Sequence, residues 1–415
     1  MADPPNPGNG NFFNIYIHHD DKDDFPNGWA QGIGTDKFKN PFYTMPGANG
    51  MYSRSIYHEG FHIFQYTGSR DPENPGFAYK GDTMWYVESS ANWYMAQWYK
   101  GEKAYITAGT IVANPHLALW HGKDNMSPLD PVVPGHYNAS EWMYGVRRYG
   151  MHTLLSFLTD VKGVDKPTIV DGYYAKTNQS PQEYLYRNIG PDTFRSHFAD
   201  WAAHNTAGLE TYLTKEQVDR AYLEISLAGD WNYYRPAVWY AENTGTDGEW
   251  VQPEEEFIAR GWAYNVFNIT NSLATTYTFQ LKGESKGSQG APAHFLGQVV
   301  VVNNTGPKYG SKYLEMDMLT PLYGEVSVPV TPEDSKIYLV VVSVPEFFGS
   351  YQNYPYQVKI TEGDYDGTTP PTTVSTASPC QDNWKTKNCK KNKRRGKCNK
   401  NFKVKTNCKK TCNLC

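Results

Sequence analysis

His58 and His62 stand four residues apart in MYSRSIYHEGFHIFQYTG (51–68), with Glu59 directly after the first. On a helix, residues four apart lie on one face, one turn from each other, so both imidazoles can address a single cation. Glu59 sits beside them, where a carboxylate can hold water next to a metal and take its proton. A catalytic zinc usually has three protein ligands and one open position. Glu88, in the middle of MWYVESSANW, is the candidate third ligand. Its neighbours Trp85, Val87, Ala91 and Trp93 are apolar. A carboxylate in such a stretch is costly unless it is paired or bound to a metal, which is a second, independent reason to expect a cation there.

Helices are needed to carry these groups, and the pattern from about 51 to 230 is helical. Ile56, Phe61, Ile63, Phe64 and Tyr66 give the first segment buried surface, and no proline interrupts it. Asp82 can cap a helix over 83–100, with Gly101 at its end. Ser140 can cap a single helix over 141–162, ended by Gly163. Ser180-Pro181 opens another, with proline at the favoured first position. DTFRSHFADWAAHN and KEQVDRAYLEIS are further amphipathic segments. Before residue 51 only FFNIYIHH (12–19) reads as a strand, and the rest reads as loop.

After about 232 the period changes. WAYNVFNI, TYTFQL, GQVVVVNN, EVSVPV, KIYLVVVSV and PYQVKI are short β-branched or aromatic runs separated by turn residues, the pattern of an antiparallel β-sandwich. EGDYDGTTPPTTVSTASP (362–379) reads as an extended Thr/Pro/Ser linker. GESKG (283–287) matches a nucleophile-elbow pattern but lacks the strand-to-helix context that pattern needs.

Charge is divided unevenly along the 415 residues. Residues 380–415 carry 13 Lys and Arg against one acid, and the first 379 carry 26 basic and 42 acidic side chains. All six cysteines (380, 389, 398, 408, 412 and 415) lie in that basic tail. An even set in so short a segment reads as a disulfide framework and an oxidising compartment, so a secreted, extracellular protein is expected. The opening MADPPNPGNG has no apolar core of the kind a leader has, and a mature form is the expectation. Asn138, Asn268 and Asn303 begin glycosylation sequons.

The set HEGFHIFQ…WYVESSANW resembles the gluzincins, zinc peptidases with HExxH on one helix and a glutamate ligand on the next, and a secreted zincin-like family with HExxHxxQ and W-x-x-E-x-x-A patterns. The likeness covers roughly residues 50–160. It implies Zn2+ held by His58, His62 and Glu88, with Glu59 as general base. Thermolysin-type enzymes have Asp four residues after the glutamate ligand; here that place is Asn92. Its carbonyl can still accept an imidazole N–H but raises ligand basicity less than a carboxylate would. Such chemistry also needs a donor for a developing oxyanion. Tyr149 is favoured, with Tyr144 and His152 behind it.

The tail resembles the ShKT domain over all 36 residues, on its C-x-x-x-C-x-x-C ending, the Asp two residues after the first Cys, and Lys-Thr before the fifth. The resemblance implies pairs Cys380–Cys415, Cys389–Cys408 and Cys398–Cys412, with Asp382 beside Lys410. The channel-blocking members have a Lys-Tyr dyad where this chain has Phe402-Lys403. Lys390, Lys391, Lys393, Arg394, Arg395 and Lys397 read instead as a loop for anionic glycan or a membrane surface, not for nucleic acid.

The expected organisation is multidomain α+β: a zincin-like, mainly helical catalytic region (1–231), a β-sandwich (232–361), the linker (362–379) and a disulfide-rich ShKT domain (380–415). The expected function is a secreted zinc metallopeptidase acting on extracellular protein or glycoprotein. The rival expectation is a non-catalytic or toxin-like protein that binds glycan, membrane or a channel through its tail.

Overall fold

The computed structural model describes residues 14–18, 31–35, 41–46, 53–68, 83–98, 108–121, 147–175, 179–219, 221, 247–269, 275–349 and 352–363. Tyr144, the tail with its Lys390–Lys397 run, and residues 364–379 of the expected linker lie outside these residues. Helices and two antiparallel sheets make the architecture α+β.

Three strands come first: β1 (Asn14–His18), β2 (Gln31–Thr35) and β3 (Pro41–Pro46). β3 is central, parallel to β1 and antiparallel to β2. The sequence marks only the first. QGIGT and PFYTMP carry Gly and Pro at positions where strand propensity is low, and pairing overrides it.

α1 (Ser53–Gly68) packs against β2, β3 and α2 (Met84–Trp98). Every residue of α2 from Trp85 to Trp93 is buried, so this part of the helix is enclosed on all sides. The short α3 (Gly109–Ala113) follows. The single helix expected over 141–162 is not continuous in its described part. Residues 147–150 are helical, Met151 is a turn, and α4 (His152–Ser156) runs into a π-helical turn, Phe157–Val161. The Lys162 N–H there reaches back five residues to the Phe157 carbonyl at 3.0 Å. Thr153 and Thr159 hydroxyls donate to the carbonyls of Gly150 and Leu155, a local competition that bends helices.

α5 (Lys166–Val170), α6 (Pro181–Ile189) and α7 (Pro191–Ala207) complete the helical body. Ser180 caps α6 as its sequence predicts, accepting from the Glu183 N–H at 3.3 Å. Gly190, at φ +104°, makes the corner into α7; a side chain there would be strained. Among the described residues no helix is long and apolar enough to cross a membrane.

The remaining strands are β4 (Asp247–Val251), β5 (Ala263–Ile269), β6 (Thr275–Gly283), β7 (Phe295–Asn303), β8 (Ser311–Glu315), β9 (Asp317–Thr320), β10 (Tyr323–Val330), β11 (Asp334–Ser343) and β12 (Tyr356–Gly363). They form sheets ordered β4-β12-β6-β10-β9 and β5-β11-β7-β8. β12 continues two residues into the segment expected as linker. The two sheets enclose one core containing Phe279, Leu281, Val299, Leu339, Val341 and Val358. The opposite face of the four-stranded sheet, with Tyr264, Val300, Val340 and Val342, belongs to a second core shared with Phe194, Phe198 and Trp201 of α7 and Trp85 of α2. The unbroken run IYLVVVS in β11 is therefore apolar on both faces because both are buried.

Trp262 sits at this seam, fully buried and at φ +58°. Its backbone N–H donates to the Ser343 carbonyl at 2.8 Å, and its ring lies 5.0–5.8 Å from those of Phe194, Phe198, Phe348 and Tyr186. Arg195 of α7 donates to the Val344 carbonyl at 3.0 Å. Asp200 pairs with Lys162 and accepts from Gln298 at 2.6 Å, tying the π-helical turn, α7 and β7 together.

Candidate metal centre

α1 and α2 bring the three expected ligands to one point. His58 Nε2 lies 3.3 Å and His62 Nε2 3.4 Å from Glu88 Oε2, and the two Nε2 atoms are 3.0 Å apart. Two ligands about 2.05 Å from a tetrahedral zinc would stand roughly 3.3 Å apart. His58, His62 and Glu88 are the one group of three or more metal-ligating side chains found among the described residues.

Hydrogen bonds on the far side of each ring fix which nitrogen faces the centre. His58 Nδ1 is 2.8 Å from Asn92 Oδ1, and His62 Nδ1 is 2.7 Å from Gln65 Oε1. Neither amide can be turned around. Asn92 Nδ2 donates to the Tyr149 carbonyl at 3.2 Å, and Gln65 Nε2 donates to the Val87 carbonyl at 2.9 Å. Their oxygens therefore accept, so Nδ1 of each ring carries its proton. In the neutral rings both Nε2 lone pairs then point where Glu88 Oε2 points. With both rings neutral, that buried oxygen receives no hydrogen bond among the described residues. Two nitrogen lone pairs and a buried carboxylate oxygen at zinc-like spacings are a fitting donor set for that cation.

Electrostatics carry the same demand for positive charge. Burial would lower the His62 pKa, but the Glu88 carboxylate, then Glu59, outweigh it and raise it to about 9. Burial would raise the Glu88 pKa, yet hydrogen bonding and attraction from His58 and His62 hold it well below the usual carboxylate range. A proton on His62 does in part what a bound cation would do in full.

Gln65 is wholly buried, and its Nε2 also lies 2.9 Å from Ser90 Oγ and 3.1 Å from Tyr173 Oη. The HExxHxxQ spacing contains this residue, but its contacts with α2 are not readable from spacing. Glu59 is half-buried, and its charge acts on both His62 and Tyr149.

Of the three expected oxyanion donors, Tyr149 lies beside the centre, its ring 5.9 Å from that of His58 and 5.2 Å from the Arg148 guanidinium carbon. Burial, then Glu88, push its pKa well up, so the hydroxyl keeps its proton. His152 is buried behind it, with Nδ1 donating to the Tyr149 carbonyl at 2.9 Å. It supports the backbone of Tyr149, and burial lowers its own pKa to about 4. Tyr144 lies outside the described residues. Away from this centre, His121 is buried and accepts from Arg260 at 2.9 Å.

No family model matches the chain, and no curated protein matches it. Among solved structures, the pre-peptidase C-terminal domain of a collagenase from Bacillus anthracis aligns with 28% of this chain and 90% of its own, at 10% identity and a TM-score of 0.18. A family 35 carbohydrate-binding module from an environmental isolate aligns with 31% and 85%, at 22% identity and a TM-score of 0.15. At these TM-scores neither likeness bears on the site.

Proposed function

We propose that the chain is a secreted zinc-dependent metallopeptidase of the gluzincin type, acting on extracellular protein or glycoprotein. The observation that carries this reading is the convergence of His58 Nε2, His62 Nε2 and Glu88 Oε2, with both Nδ1 atoms committed elsewhere. A mixed three-stranded sheet against the helix bearing both histidines fits a zincin-like region.

His58, His62 and Glu88 would hold the zinc, which when bound supplies Lewis acidity toward a substrate carbonyl and water. Glu59 takes the proton of the attacking water and passes it to the leaving amine. Tyr149, kept protonated by burial and by the neighbouring carboxylates, donates its O–H to the developing oxyanion. Gln65 and Asn92 hold the two ligand rings in the tautomer that zinc requires.

Glu59→Gln tests the reading. The variant should bind Zn2+ as the native chain does and lose peptide hydrolysis by several orders of magnitude, since general base and proton shuttle go together. An unchanged rate sinks the mechanism. The strongly basic tail favours a second reading, in which glycan or membrane binding is the whole activity. That reading requires all measurable function to survive Glu59→Gln.

A further inference from the structure

Position 92 does two things at once. Its oxygen accepts from the His58 ring at 2.8 Å, and its N–H donates to the Tyr149 carbonyl at 3.2 Å. An amide can do both. A carboxylate can do only the first, having no proton to give, and it would set negative charge against a carbonyl oxygen. Asparagine at this place is thus explained by the second bond.

The Tyr149 segment is gripped by the same helix at a further point. The Ser89 hydroxyl donates to the Arg148 carbonyl, one turn before Asn92 on α2. α2 therefore supplies the ligand Glu88, the partner of the ligand His58, and two donors to the backbone of residues 148 and 149. Tyr149 in turn sets its ring 5.9 Å from that of His58.

We infer that Asn92 is a positioning residue that couples metal occupancy at His58 to the order of residues 147–152, which carry Tyr149. The inference rests on the metal-site reading above. A cation on Nε2 fixes the His58 ring, the ring fixes the Asn92 amide through Nδ1–H, and the amide N–H then holds the Tyr149 carbonyl. Coupling of this kind is reciprocal, so order in 147–152 also favours the loaded site.

The test uses the full chain with Zn2+ alone as the probe. Hydrogen exchange of peptides covering 147–152 is followed with and without Zn2+, in the native chain and in Asn92→Asp. Zn2+ affinity of both is measured by competition with a chromophoric chelator. In the native chain Zn2+ should slow exchange across 147–152. Asn92→Asp should keep Zn2+ affinity within roughly tenfold, because a carboxylate still accepts from Nδ1, yet lose that protection. Equal protection in the two proteins overturns the coupling and leaves the metal site standing. If the native chain binds no Zn2+, the metal site fails and the coupling with it. Should Asn92→Asp not fold, the native arm still decides, since exchange at 147–152 indifferent to Zn2+ overturns the coupling.

Discussion

Gln65 Oε1 stands 2.7 Å from His62 Nδ1, while the same amide gives its N–H to the Val87 carbonyl, the residue before Glu88. One buried side chain thus orients His62 on α1 and fixes the turn of α2 that carries Glu88. Gln65→Leu removes both functions and leaves buried polar atoms without their partner. Zn2+ affinity should fall roughly 10–100-fold, and stability should fall by about 1–3 kcal/mol. Chelator competition and denaturant unfolding read the two effects separately; unchanged affinity would show that Gln65 only packs.

In the proposed site Glu88 differs from Gln65 in being a ligand of the cation itself. Glu88→Ala should weaken Zn2+ binding by more than the roughly 10–100-fold lost with an outer partner. Metal content after gel filtration is the direct measurement. A Glu88→Ala protein that still carries stoichiometric zinc would remove Glu88 from the ligand set.

These groups were legible in the sequence to different degrees. His58 and His62 follow from helical periodicity, and Glu88 from the cost of a carboxylate among Trp85, Val87, Ala91 and Trp93. Asn92 was visible as a departure from a carboxylate, though its bond to the Tyr149 carbonyl depends on where a distant segment packs. The sandwich strands announced themselves by β-branched runs. β4, β8 and β9 did not, and all three are edge strands, DGEWV, SKYLE and DMLT, whose charged residues suit an exposed edge and break the alternation. β2 and β3 were hidden by glycine and proline, because pairing rather than propensity makes them strands.

Buried neutral histidines set an acid limit. Burial, then Arg260 and Arg147, hold the His121 pKa well below 6.5, and its Nδ1 must stay unprotonated to accept from Arg260. In the unfolded chain the ring takes a proton near pH 6.5. The unfolded state then binds more protons, so this stability is complete above pH 6.5 and is lost as pH falls below it. Melting temperatures of the native chain and His121→Gln should differ most at pH 8 and converge toward pH 5. A gap that widens on acidification would reverse the assignment.

Trp262 combines a ring that packs four aromatics with a backbone in the left-handed region. Trp262→Ala should cost about 3–5 kcal/mol through the lost ring. Trp262→Gly loses the same ring but relieves roughly 1–2 kcal/mol of left-handed strain, so it should be the less damaging of the two. Equilibrium unfolding ranks them; the opposite order would mean that the backbone relaxes in Trp262→Ala.

The sheet that is apolar on both faces has a consequence for cutting the chain. A protease that nicks it between residues 221 and 247 would sever the covalent link between the helical body and the strands. Neither fragment could then leave without exposing Val340, Val342 and Val300 on one side and Phe194, Phe198 and Trp201 on the other. The two pieces should therefore co-elute as one folded particle and separate only in denaturant. Expression of residues 1–231 alone should yield a sticky, poorly soluble product.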